Sequence, residues 1–161
     1  MKNAKLIRLI TILAGAGLLL VAFFLFAADF IGEKAEGLGI TVNVHYTGYQ
    51  LAFGSDYNDL VGGILVNWIF QLLLLLGACF IVVFDLFGAL KLKFLDNKII
   101  RFCIAGGVLV LALVCGILSF ASLGLANSTL LLAPGAVFNG IFAILGGASL
   151  ACGVVLPALS K

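Results

Sequence analysis

The side chains able to do chemistry are few, and their spacing narrows that chemistry sharply. One histidine, His45, and four cysteines, Cys79, Cys103, Cys115 and Cys152, are the only imidazole and thiol groups in 161 residues. A zinc site or a two-histidine haem needs more than one imidazole, and no cysteine lies near His45 in sequence. No Cys-x-x-Cys pair occurs, so the redox motif of a thiol oxidoreductase is missing. No nucleophile-base pair, phosphate-binding glycine loop or carboxylate pair stands out, and neither enzymatic activity nor a cofactor or metal is expected. Asn127-Ser128-Thr129 matches a glycosylation triplet, but its short loop beside a hydrophobic run makes it a poor acceptor.

What remains is amide chemistry inside apolar runs. Gly63, Asn67, Gln71, Leu75 and Cys79 recur every fourth residue in one run, and Asn139, Ala143, Gly147 and Ala151 do so in another. On helices each set forms one ridge. Small residues let helix backbones approach closely, and amides hydrogen-bond between membrane helices at about 0.6–2 kcal/mol each. Asn67, Gln71 and Asn139 are expected at one depth, as an intramembrane polar cluster with Ser119 and Ser122 nearby. No ionisable side chain falls mid-span, which argues against an ion-coupled transporter. A small multidrug exporter in particular would hold a carboxylate within its first helix.

The elements that position these residues follow from composition. Hydrophobic residues make up 64% of the chain and charged residues 10%, against about a quarter charged in a soluble domain. Its main solvent is therefore lipid. Four apolar segments, residues 6–28, 61–86, 99–123 and 134–156, reach the roughly 20 residues needed to cross a bilayer. In hydrocarbon each must be a helix. The first is longer than the 7–15-residue core of a signal peptide and lacks a tidy small-x-small cleavage site, so a retained helix is expected.

Lys2, Lys5, Arg8, Lys91, Lys93, Lys98, Arg101 and Lys161 fall on one side of these spans. Lys34 alone falls opposite, among Asp29, Glu33, Glu36, Asp56 and Asp59. The positive-inside rule then places both termini and the second connection in the cytoplasm. The basic stretch "KLKFLDNK" is explained by topology, with Asp96 weakening it as an anionic-lipid cluster. The net charge of +2 gives no support for a nucleic-acid partner.

The outer loop, residues 29–60, contains a different pattern. Ile40, Val42, Val44 and Tyr46 alternate with polar residues, and Tyr49, Leu51 and Phe53 alternate again after Gly48. Period-2 alternation predicts a β-hairpin over residues 40–53, turning at Thr47-Gly48. That register sets Tyr46 opposite Tyr49, Val44 opposite Leu51 and Val42 opposite Phe53. Because a lone hairpin is marginal in water, its apolar face should rest on the outer helix ends near Trp68. The segments on either side, "GEKAEGLG" and "GSDYNDL", read as flexible connectors.

In topology alone this layout resembles the claudin-type arrangement. The Gly-Leu-Trp element and cysteine pair of that family's outer loop have no counterpart in residues 29–60. The nonapeptide "YTGYQLAFG", Tyr46 to Gly54, is similar to the outer-loop sequence Tyr-Ser/Thr-Gly-aromatic-Gln-x-x-Phe-Gly of small four-helix membrane proteins of Gram-positive-type bacteria, a family with no known activity. The resemblance implies a bacterial cytoplasmic membrane and no particular substrate.

Together these readings predict an all-α, four-transmembrane-helix bundle with a small extracytoplasmic β-hairpin between helices 1 and 2. The expected role is a non-enzymatic accessory, scaffold or interaction subunit, with the bilayer as solvent and another membrane or extracytoplasmic protein as partner. Contact is expected through Asn43, His45, Thr47 and Gln50 on the polar face and Tyr46 and Tyr49 at the tip. The alternative is a protomer of a homo-oligomeric channel or passive transporter, with Asn67, Gln71 and Asn139 along its path.

Overall fold

The computed structural model describes residues 2–37, 40–55, 59–86, 97–125 and 131–159. Lys91, Lys93, Asp96, Lys161 and the Asn127-Ser128-Thr129 triplet lie outside the described residues, as do the side chains of Lys34 and Asn43. In chain order the elements are helix α1 (Lys2–Phe24), a 3-10 turn (Leu25–Ala27), strands β1 (Asp29–Gly37) and β2 (Ile40–Thr47), and a short helix α2 (Gly48–Phe53). Helix α3 (Gly62–Phe80) runs into a π-helical turn (Ile81–Leu86), and α4 (Lys98–Phe120) follows. A single turn α5 (Ser122–Leu125), a two-residue strand β3 (Leu131–Leu132) and α6 (Pro134–Leu159) complete the fold.

Helices α1, α3, α4 and α6 are long and apolar enough to cross a membrane, and the chain is a multi-pass membrane protein. Local sequence sets several of their ends. Asn97 caps α4 by accepting from the Ile99 N–H at 2.9 Å, and Pro134 opens α6 where its missing N–H costs nothing.

Helix α6 packs against both α1 and α4, and α3 lies across from it, also between α1 and α4. On α1 the inward residues are Ile12, Gly15, Leu19, Ala22 and, just past its end, Phe26; on α3 they are Ile64, Asn67, Gln71, Leu74, Ala78 and Ile81. Both series alternate steps of three and four, the pattern of helices crossing at a small angle. The four-residue ridge expected on α3 is therefore corrected past Gln71. Each i+4 step overshoots a full turn by about 40°, so Cys79 has rotated out to the lipid face while Leu74 and Ala78 point inward.

The ridge on α6 does stay inside, because α6 is covered on two faces. Toward α1, a Cβ on Gly15 would lie 2.6 Å from the Leu150 nitrogen, and one on Gly146 would lie 3.0 Å from Leu19 Cγ. Toward α4, a Cβ on Gly147 would overlap that of Ala112. These backbones meet closely enough that dispersion and packing hold them, as small-residue interfaces do in lipid.

Beyond the helix ends, β1 forms an antiparallel pair with β2 and carries β3 on its other edge, giving the order β2-β1-β3. A β-hairpin between helices 1 and 2 is thus present, but its strands differ from those expected. Ile31 faces Tyr46, Glu33 faces Val44 and Ala35 faces Val42, with a bulge between Asp29 and Ile31. Residues 32–37 of the expected "GEKAEGLG" connector are strand, and Gly48–Phe53 is helix rather than the second strand.

If close packing of α6 holds the bundle, Gly147→Ala should overpack its contact with Ala112 and lose about 1–3 kcal/mol. Gly107→Ala, on a helix face with nothing within 4 Å of the added methyl, should gain about 0.5–1 kcal/mol from helix propensity. Unfolding in mixed SDS micelles measures both, and equal effects would count against the packing argument.

Candidate functional site

Two constellations draw together the residues singled out by sequence: an amide cluster within the bundle and the base of the outer sheet above it.

Asn139 stands at the centre of the first, with no exposed surface. Its Oδ1 accepts from Gln71 Nε2 at 2.6 Å and from the Ser119 hydroxyl at 2.6 Å. Its Nδ2 donates to Gln71 Oε1 at 3.2 Å and to the Ala22 carbonyl at 2.6 Å. A side-chain amide has two acceptor lone pairs and two N–H donors, so all four capacities are engaged. Asn67 Nδ2 donates to Ser119 Oγ at 2.9 Å, and Gln71 Nε2 reaches Asn67 Oδ1 at 3.4 Å. The Ser119 proton has the Cys115 carbonyl, at 2.9 Å, as a second acceptor.

The expected cluster of Asn67, Gln71 and Asn139 is therefore assembled, with Ser119 as a fourth member. Every one of the long helices contributes a group. The side chains face the interior of one bundle and satisfy one another. Ser122 is buried beyond the cluster, and its Oγ has no hydrogen-bond partner among the described residues. Trp68 Nε1 is likewise buried and unpartnered.

The second constellation is an apolar layer over the outer end. Phe26, Phe30, Ile31, Leu51, Ala52, Ile64 and Ala136 are buried together, with Tyr46, Tyr49 and Trp68 packed against them. Phe26 lies 4.9 Å from Phe30 and 6.0 Å from Tyr49 between ring centroids. Phe53 meets Trp68 edge-on at 5.0 Å, so the expected rest on Trp68 is made by α2.

Most of the nonapeptide is explained by this layer. Thr47 is the N-cap of α2: its hydroxyl accepts from the Gln50 N–H at 3.3 Å, and the Gln50 side chain accepts from the Thr47 N–H at 2.9 Å. This reciprocal capping box satisfies two otherwise open donors. Gly48 admits no side chain, since a Cβ would lie 2.7 Å from Phe26 Cδ1 and 3.0 Å from Phe30 Cε1. Gly54 ends the helix at φ 79° and ψ 165°, a region open essentially to glycine alone.

The six residues expected to contact a partner are accordingly divided. Tyr46 and Tyr49 pack on the apolar layer instead of forming a tip, because β2 pairs with β1 and Tyr46 falls at the helix-proximal end of that pairing, opposite Ile31. Thr47 and Gln50 are occupied with each other. Asn43 pairs through its backbone with Lys34. His45 is 53% exposed, with Nδ1 3.6 Å from Asp29 Oδ2 across the sheet. The signal that sequence reasoning passed over is Thr47-Gly48-Tyr49-Gln50, which has the capping-box spacing.

The cysteines divide as well: Cys115 is buried, whereas Cys79, Cys103 and Cys152 are exposed on the helix surfaces. Compared with known proteins, the chain matches no family model, no curated protein and no solved structure.

Asn139→Asp keeps the shape of Asn139 but removes both N–H donors and adds a buried charge. It should destabilise the bundle more than Asn139→Leu, and each lost partner left unpaired should cost about 1–3 kcal/mol. Unfolding in SDS micelles gives the order. At the outer end, Thr47→Ala should cost about 1 kcal/mol through loss of the cap. Gly48→Ala should cost more, because two buried aromatic rings stand in its way. Thermal melts in detergent separate these two, and a silent Gly48→Ala would contradict the packing described.

Proposed function

We propose that this chain is a non-enzymatic accessory or scaffold subunit of a bacterial cytoplasmic membrane, with both termini in the cytoplasm. Its outer hairpin offers the docking edge. The bacterial setting rests on the likeness of "YTGYQLAFG" to the small four-helix family, and the orientation rests on the basic residues gathered at one end of the spans.

The observation that carries the reading is the edge position of β2 in the described sheet. In the order β2-β1-β3, β2 pairs with β1 alone among the described strands, and Ile40–Thr47 is a long edge by the standard of protected sheets. An extended segment of another membrane or extracytoplasmic protein can add to such an edge through main-chain hydrogen bonds. His45, exposed beside Asp29, supplies a polar contact on that surface. The base of the hairpin is anchored by the aromatic layer, so little order needs to be gained on binding. The saturated amide cluster favours a rigid scaffold over a polar path along Asn67, Gln71 and Asn139.

Affinity purification from native membranes in mild detergent, followed by mass determination of the intact particle, tests this. The expected result is a stoichiometric foreign protein that is lost with Val44→Pro while helical circular dichroism is unchanged. Retention of that protein by Val44→Pro, or a particle made of this chain alone, would overturn the edge-docking reading.

A further inference from the structure

A groove of about 400 Å³ runs between α4 and α6 at the end of the bundle that carries the chain termini. Phe102, Gly106 and Leu109 form one wall, and Ala151, Val155 and Leu159 form the other. Its size falls within the range of small-molecule sites, but its lining is apolar and it opens sideways on the lipid-facing surface. From Phe102 to Leu109 the α4 wall rises about 10 Å along the helix axis, parallel to the acyl chains of one leaflet.

Lys98, the last residue of the basic stretch that topology explains, adds a single charge beyond one end of this groove. Lys98 precedes Phe102 by one helical turn, so Lys98, Phe102, Ala105 and Leu109 occupy one stripe of α4. The Lys98 side chain is exposed at the first residue of α4. An apolar slot with a lysine one helical turn beyond its lining residues complements an acyl chain joined to a phosphate. Gly106 lines the α4 wall without a side chain of its own.

We propose that the α4–α6 groove is a binding site for an anionic phospholipid, with one acyl chain along Gly106 and the headgroup phosphate at Lys98. Basic side chains at a membrane surface favour acidic headgroups, and the groove fixes that preference at one position. This inference is independent of the hairpin reading, because it concerns the opposite end of the bundle.

Native mass spectrometry of the purified full chain, titrated with dioleoyl phosphatidylglycerol or dioleoyl phosphatidylethanolamine, tests the site. A one-lipid adduct should favour phosphatidylglycerol about fivefold, the change one lysine near an anionic surface supplies. Lys98→Gln should equalise the two lipids. Gly106→Leu should remove the adduct for both, whereas Gly107→Leu, on an open face outside the groove, should leave it intact. Equal retention of the two lipids by the unaltered chain, or an adduct that survives Gly106→Leu, would overturn the assignment. A two-chain particle abolished by Gly106→Leu would give the groove to a second copy and overturn it too. Lys98→Gln alters an exposed residue at a helix end, so the headgroup test does not depend on how well Gly106→Leu folds.

Discussion

In hydrocarbon, one helix gains little by hiding its apolar face against another, because lipid tails are as apolar as leucine. Association must come from close packing and from polar groups that have no other partner. Asn139 concentrates the second of these in one side chain. It bonds to Gln71 on α3, to Ser119 on α4 and to the Ala22 carbonyl on α1, so every other long helix is tied to α6 at one depth. Helices α3 and α6 lie across the bundle from each other, and the Gln71–Asn139 amide pair spans that gap where apolar packing is thinnest.

Close packing provides the rest, and it is directional. Glycines on α6 bring two neighbours to backbone range on two faces, which makes α6 the axis of the bundle. Helix α3 has no comparable small-residue seam along its inner face; leucine, isoleucine and alanine take over below Gln71. Its attachment depends more heavily on Asn67 and Gln71. Toward the end with the termini, Arg101 adds another polar tie, donating from Nη1 to the Val154 carbonyl at 3.2 Å. That contact lies near Pro157, which cannot donate a backbone hydrogen bond to the preceding turn.

The outer layer depends on the same economy of contacts. A hairpin emerging from a helix end would be unstable by itself, yet Phe26 and Phe30 continue the line of the α1 core into the base of the sheet. Helix α2 then folds back so that Leu51 and Ala52 cover this base and Phe53 reaches Trp68. The Gly48 N–H bonds to the Ala28 carbonyl at 3.3 Å and the Val61 N–H to the Leu51 carbonyl at 2.8 Å, fastening both ends of the segment. The sheet is therefore anchored at its base, with β2 at its edge among the described strands.

Four spanning helices, a hairpin after the first and the meeting of Asn67, Gln71 and Asn139 were legible in the sequence. The physical reason is that hydrocarbon permits one backbone solution, and regular helices convert residue number into depth. Outside the hydrocarbon that simplification ends. Residues 49–53 alternate like a strand, yet Tyr49, Ala52 and Phe53 also fit one helical face, and a run this short leaves the period ambiguous. The Thr47–Gln50 capping box and the fit of Gly48 against two phenylalanines decide for helix. Asp29–Gly37, rich in charge and glycine, has little strand propensity of its own. Its conformation comes from pairing with β2 on one edge and β3 on the other, partners that only the folded chain brings together.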